Sequence, residues 1–471
     1  MKYNLIIILF LANLSLTYAQ DVIELKNSDK LTGKVIDGKS VREAEGNVHF
    51  VQGNINVYCN SATQYIDENR LVLSGNVRIY QDTLTLLTSR GVYYGNDKRA
   101  IGEGSVTLKD PNATLTANRG TYFFNDAKAD FKGNVKVENK DYIITSNELI
   151  YFRNTEDSFA KGNVVVITDS AVIKADFIDF LKRSGITNAY INAQIDSDST
   201  IINADTLKNF SFEKKSNASG NVKIKNLSNN VLLIGNYAEN FEVTNYSYIS
   251  GNASLIQVEN FIDSLFIYSD KMEAYRNLPE YYKASGNVEI IRNDFLSKSG
   301  YAYYFIETET VALQDKPVLW QNNSQMTGDS IYAELPGKVL QKITVNKIQE
   351  SPNSSESFLI SISDSVNFTD RYNQVAGNKI EILFENEKLK DVNVYNNSKS
   401  IYFVYDESGK ANGVNRVTGE NMNIIFDNDE KVIKIVVDKD PVGLYASENN
   451  INEITLQLDG FLLRNDKPVK K

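Results

Sequence analysis

Residues 133–176 read GNVKVENKDYIITSNELIYFRNTEDSFAKGNVVVITDSAVIKAD, and this stretch decides how the rest of the chain is read. It opens on Gly133-Asn134-Val135 and repeats, 29 residues later, as Gly162-Asn163-Val164. Behind each triplet the side chains alternate: Val135 and Val137 flank Lys136, and Val164 and Val166 flank Val165. A period of two puts one set of side chains on one face of a β-strand. Further on stand Ile144 and Ile173, then Asn147 and Asp176, then Tyr151 and Phe180, each pair again 29 apart. The segments are too short and too β-branched for helices.

The pattern spreads in both directions. Gly-Asn-Val begins at Gly46, Gly75, Gly133, Gly162 and Gly220, and Gly-Ser-Val at Gly104. Ile191-Asn192-Ala193 fills the slot between Gly162 and Gly220, and looser copies follow at Gly251, Gly286 and Lys316-Pro317-Val318. One inward column is Val77 and Ile79, Val106 and Leu108, Val135 and Val137, Val164 and Val166, Val222 and Ile224. A second is Val57, Leu86, Leu115, Ile144, Ile173 and Ile202. Polar residues (Asn60, Ser89, Asn118, Asn147, Asp176, Asp205) and aromatics (Tyr65, Tyr93, Tyr122, Tyr151, Phe180, Phe210) run in phase with it. About twelve units fit between Val41 and Phe426, a sign of a repeat array. The Gly-Asn pair is expected to supply the positive φ of a hairpin turn, and the Asn/Asp column to serve turns.

Two-strand units with one apolar face must stack to be stable. The predicted class is therefore all-β: an elongated repeat jellyroll of two facing antiparallel sheets, or a β-solenoid. Twelve strands at about 4.8 Å give a stack on the order of 60 Å with one apolar interior. The same columns would form in any closed sandwich, so a dry core and an open slot both fit the pattern.

Composition removes other classes. Lys2, the apolar run Leu5–Leu16 and Thr17-Tyr18-Ala19 read as a signal peptide over 1–19. Cys59 is the one cysteine and His49 the one histidine, which leaves no disulfide and little for imidazole chemistry. A net charge of −10 argues against nucleic acid. Asp196, Asp198 and Asp205 resemble a calcium loop but lack its glycine and its bidentate glutamate, and read as a solvated turn. No nucleophile elbow, phosphate loop or paired-cysteine motif occurs. No enzyme activity, cofactor or metal is expected.

Gly162-Asn163-Val164 with Ala175-Asp176 and Phe180, and Gly104-Ser105-Val106 with Ala117-Asn118 and Tyr122, resemble the repeat of the LptA/OstA-like periplasmic lipopolysaccharide-transport proteins. The resemblance covers Val41 to Leu207 closely and continues loosely to Phe426. It implies a jellyroll whose apolar interior, lined by the two columns above, takes the acyl chains of lipid A. It further implies a periplasmic bridge protein that docks end to end with other jellyroll components or with itself, in the periplasm and in association with the outer membrane. The corresponding division is 1–19 signal peptide, 20–210 first OstA-like segment, 211–335 continuing repeats, and 336–471 irregular repeats and closing strands. Two other readings stay open: a structural or adhesive surface repeat protein with a closed core, and a sugar-active solenoid. The outward Arg78, Thr107, Lys136, Val165 and Lys223 carry no acidic ladder, which counts against the last.

Overall fold

The computed structural model describes residues 21–471 apart from 229, 259–263, 349–354, 365–367, 387 and 407, so the expected signal segment lies outside the described residues. These contain thirty-four strands and two short 3-10 turns. The all-β jellyroll expected from the repeat is what forms. The chain divides into two compact units. Unit one holds the described residues up to Asp169 with Ala175–Ser184, and unit two holds Ser170–Lys174 and Gly185–Lys471.

The strand Arg70–Gln81 shows why the sequence takes this form. Leu71, Leu73, Val77 and Ile79 are at most 1% exposed, while Val72, Ser74, Asn76 and Arg78 face water. It pairs antiparallel with its predecessor Ile55–Tyr65 and its successor Leu84–Tyr94. Such nearest-neighbour pairing runs from Lys39–Gln52 to Asp157–Thr168 in unit one. It runs again from Ile186–Asp196 to Leu296–Phe305 in unit two.

The Gly-Asn pairs are not hairpin turns, as the sequence suggested. They lie inside strands, where the ladder skips: between Ser74 and Val77, Glu103 and Val106, Ser219 and Val222. Gly75, Gly133 and Gly220 have φ of 74, 78 and 76°, and the asparagines after them 47 to 49°. This is a β-bulge with its left-handed glycine. The Asn/Asp column does not serve turns either. Its side chains fill the space where the glycine Cβ would stand: Asn118 Nδ2 would lie 2.9 Å from a Cβ on Gly133, and Asn147 Nδ2 2.7 Å from one on Gly162. The actual turns fall between strands, at Asp82 (φ 52°), Asn69 (φ 48°), Lys98 (φ 43°) and Ala127 (φ 48°).

The bulges fold the long strands that carry them. Through the register Gln52–Ile55–Gln81–Leu84, Gln52 is level with Leu84, nine residues from Tyr93. In a flat sheet they would be roughly 30 Å apart. Yet the Tyr93 hydroxyl donates a 2.6 Å hydrogen bond to Gln52 Oε1. Each strand therefore bends into two facing halves, and the turns form two rims that meet along a seam. In unit one the first rim is turns 66–69, 95–98, 124–127 and 153–156; the second is 53–54, 82–83, 110–113 and 139–141.

In unit two the folded strands end at Leu296–Phe305. It pairs with both Thr310–Gln314 and Val318–Gln321, and from there two separate ladders continue. One runs through Ser330–Glu334, Lys342–Asn346, Lys379–Glu385, Lys388–Tyr395 and Asn421–Phe426 to Val432–Asp438. The other runs through Ser324–Thr327, Ser357–Asp364, Phe368–Gly377, Ser398–Tyr405 and Ala411–Gly419 to Val442–Ser447. Phe358, Ile360, Ile401, Phe403 and Val414 form a buried core under Ile451 and Leu458. The final segment is fastened by two buried glutamines: Gln374 bonds Leu456 O and Leu458 N, and Gln325 bonds Leu462 O and Arg464 N, all at 2.7–2.8 Å.

Two substitutions test the bulge. Gly133→Ala places a Cβ at positive φ against Asn118 and should cost about 1–3 kcal/mol, read as a lowered urea midpoint. Ile191 occupies the glycine slot of its repeat at φ 61° and is 52% exposed. Ile191→Gly should raise stability by about 1 kcal/mol; loss of stability in that variant would contradict the bulge requirement.

Candidate functional site

In unit one the two columns form a packed interior. Val57, Val77, Ile79, Leu86, Val106, Leu108, Leu115, Val135, Val137, Ile144, Val164 and Val166 are all at most 6% exposed. Cross-strand pairing joins Phe50, Val57, Ile79, Leu86, Leu108, Leu115, Val137, Ile144 and Val166 into one ladder. Opposite it, Tyr93, Tyr122 and Tyr151 point inward near the first rim, each at most 2% exposed. They alternate with small partners, Ala100, Ala129 and Ser158. Large rings set beside small residues fill the space between the facing halves.

The seam of unit one is also stapled. Gln52 takes the Tyr93 hydroxyl and donates at 3.0 Å to the Gly95 carbonyl. Arg153, on the first rim, reaches Thr83 Oγ1 at 2.8 Å and Asp110 at 3.7 Å on the second. Asn112 donates to Glu156 at 2.9 Å, and the Tyr142 and Phe180 rings meet at 5.1 Å. Ile23, 5% exposed, is held by Asn69 and Gln64.

Unit two is built differently. Its aliphatic ladder is Ile195, Ile202, Ile224, Leu233, Leu255, Ile267 and Ile290, paired in that order. The first six are half-buried; Ile290 is 4% exposed. Of the remaining residues picked from sequence, Val222 is fully buried and Ile173 half-buried. The reason is the row where unit one has its tyrosines. Two residues before each first-rim turn stand Tyr93, Tyr122, Tyr151 and Phe180, then Asn209, Asn240 and Ala274, then Tyr304. Thr187, Asn209, Ser216, Asn240, Ser247 and Ala274 are paired neighbours in that row. Three consecutive plugs are missing: small polar residues stand in that row, and the aliphatic ladder across from it stays half-buried. Five strand spacings of about 4.8 Å make that half-buried stretch roughly 24 Å long. At the end of the ladder Ile290 is buried, and nearby Arg292 donates to the Lys338 carbonyl at 2.9 Å.

The aromatics of this stretch face outward. Phe210 sits one residue past the Tyr93 phase, and one residue reverses the face of a strand. Across neighbouring strands Phe241, Tyr246, Tyr248, Tyr275 and Tyr281 stack at 4.5–6.0 Å. They enclose Glu239 and Glu273. Burial acts to raise these two carboxyls, but Lys215 (2.6 Å) and Tyr248 (2.8 Å) on Glu239, and Lys271 (2.7 Å) and Tyr246 (2.6 Å) on Glu273, outweigh it and hold both below the usual range. This network is satisfied within itself and braces the outer face. The aspartates read as a solvated turn take part in pairing: Asp196 meets Lys174 at 2.9 Å, and Asp205 accepts from Asn221 Nδ2.

Ile195, behind the glycine-less slot at Ile191, was missed by sequence reasoning, and so were Leu233, Leu255 and Ile267. The period stretches from 29 to 31 and 35 residues at Gly251 and Gly286, which hides their column. The loss of the inward aromatic at Asn209, Asn240 and Ala274 was the available signal.

The family described as OstA-like protein matches residues 20–119. No curated protein matches the chain in sequence. Among solved structures, LptH of Pseudomonas aeruginosa, the LptA-homologous periplasmic component of the conserved lipopolysaccharide transport device, is similar at 14% identity. The alignment covers 32% of this chain and 99% of that one, with a TM-score of 0.18.

The closed interior of unit one makes two measurable claims. Cys59 is buried, and burial pushes its thiol up to about 11. At about pH 8, near the ordinary thiol range, it should resist a thiol reagent in the folded protein and react fully in urea. Burial likewise pushes the Tyr122 phenol up to about 12. The neutral phenol is the form the fold favours, so this stability is intact below the unfolded value of about 10 and is lost as pH rises toward 12. Tyr122→Phe should flatten that part of an alkaline denaturation profile.

Proposed function

We propose that this chain, OstA-like over its first repeats, is a periplasmic lipopolysaccharide-transport protein that carries lipid A acyl chains in the open groove of unit two. One observation carries the reading: an uninterrupted aliphatic ladder from Ile195 to Ile267 stays half-buried while its counterpart in unit one is dry. Moving a methylene out of water is worth about 0.8 kcal/mol, so a chain of a dozen methylenes faces roughly 10 kcal/mol in free solution. A groove lined by Ile and Leu removes most of that cost along its length. The protein then needs no chemistry of its own; energy for movement comes from elsewhere.

The columns of unit one act in this scheme as scaffold, and a closed core is what a structural repeat protein would also show. Partners are other jellyroll components or further copies of this chain, docking at strand edges. Lys30–Ile36 pairs only with Lys39–Gln52 among the described residues and exposes Val35 at 74%. Val432–Asp438 and Val442–Ser447 each have one partner strand among the described residues and expose Ile433 at 63% and Val442 at 66%.

Photo-crosslinking in cells tests the reading. Probes at Ile224, Leu233 and Leu255 should capture lipopolysaccharide. Probes at Val137 and Leu115, and at the outward Lys136, should not. Capture that is equal at all these positions, or absent at Leu233 and Leu255, would refute it.

A further inference from the structure

Arg153 and Arg276 hold the same place in the repeat. Each follows the inward first-rim row by two residues, and each backbone N–H bonds a carbonyl of the preceding first-rim turn, Ala127 at 2.9 Å and Asn245 at 3.0 Å. Their side chains do different things. In unit one Arg153 crosses the seam to Thr83, and Asp110, whose side chain is only 3% exposed, neutralises it. In unit two Arg276 turns back onto the small polar row. Its Nη1 donates to Ser247 Oγ at 2.8 Å and its Nη2 to Asn240 Oδ1 at 3.0 Å. Both partners are neutral and belong to the small polar row that replaces the tyrosine plugs. Glu242 and Glu280 stand on the same rim, yet Arg276 has no ion pair among the described residues.

A guanidinium carries five N–H donors in a fixed plane. Two of those on Arg276 are spent on bracing and three remain, beside the small polar row that stands across from the half-buried aliphatic ladder. We propose that Arg276 is an anion-recognition residue, binding the phosphate of an amphiphile whose acyl chains occupy the aliphatic ladder. This deepens the transport reading and rests on it. Guanidinium and phosphate form short, charge-assisted and often bidentate bonds, and bracing by Asn240 and Ser247 holds the side chain ready for them. The Arg276 column thus serves as latch in one unit and receptor in the other, according to whether a carboxylate faces it across the seam.

The test uses the full chain and two probes, bisphosphorylated lipid A and the same lipid with its phosphates removed. Wild-type protein should bind the phosphorylated form more tightly by about tenfold, the scale of one charge-assisted contact. Arg276→Gln should abolish that preference and leave affinity for the dephosphorylated lipid unchanged; Arg276→Lys should retain part of it. Inorganic phosphate should not compete, because the groove supplies most of the affinity; displacement by it would show a free-phosphate site and overturn the assignment. An unaltered preference in Arg276→Gln would also overturn the role of Arg276 while sparing the groove. If wild-type protein bound neither lipid, the groove reading itself would fall.

Discussion

The bulge at each Gly-Asn pair is the constraint on which the rest depends. A left-handed glycine, with an Asn, Asp or Ser side chain of the neighbouring strand packed where its Cβ would be, folds each strand in half. Without that fold the valine and leucine columns would lie on one flat sheet. With it, the two halves of one strand face each other and enclose an interior whose width is set by the side chains inside.

Whether that interior is dry then depends on a single row. Tyrosine at every second strand, against alanine or serine between, fills unit one to the first rim, and the seam is pinned by Gln52, Arg153 and Asn112. In unit two the row is Asn209, Asn240 and Ala274 and the filling disappears, while the facing half carries an aliphatic ladder of its own. The aromatic content is not lost but transferred to the outer face, where Tyr246, Tyr248 and Tyr275 shelter two carboxylates. Core and groove are thus variants of one repeat, separated by a few side-chain volumes.

Much of this was legible in sequence. The period, the strand alternation and the inward columns follow from where Val, Ile and Leu recur, and twelve of the sixteen chosen positions sit on the dry interior of unit one. The role of Gly-Asn was misread because positive φ serves a hairpin and a bulge equally well; only the register, with Ser74 and Val77 flanking the skip, separates them. The Asn/Asp column was misread for a related reason, since its contact is with a glycine on the adjacent strand and has no trace in local sequence. The groove escaped notice because the period lengthens after Gly220, and because Phe210 looks in phase although it is one residue late and so faces the other way. Arg153 and Arg276 differ only in partners that come from distant repeats.

Accessibility of the two ladders to a reagent from solution is the most direct measure of the difference. In a background with Cys59→Ser, single cysteines at Leu233 and at Leu115 should part company. Leu233→Cys is expected to react readily with a small maleimide and to be protected by an acyl amphiphile, while Leu115→Cys stays unreactive until the protein unfolds. Equal reactivity at the two positions, or a Leu233→Cys thiol indifferent to the amphiphile, would contradict an open lipid groove in unit two.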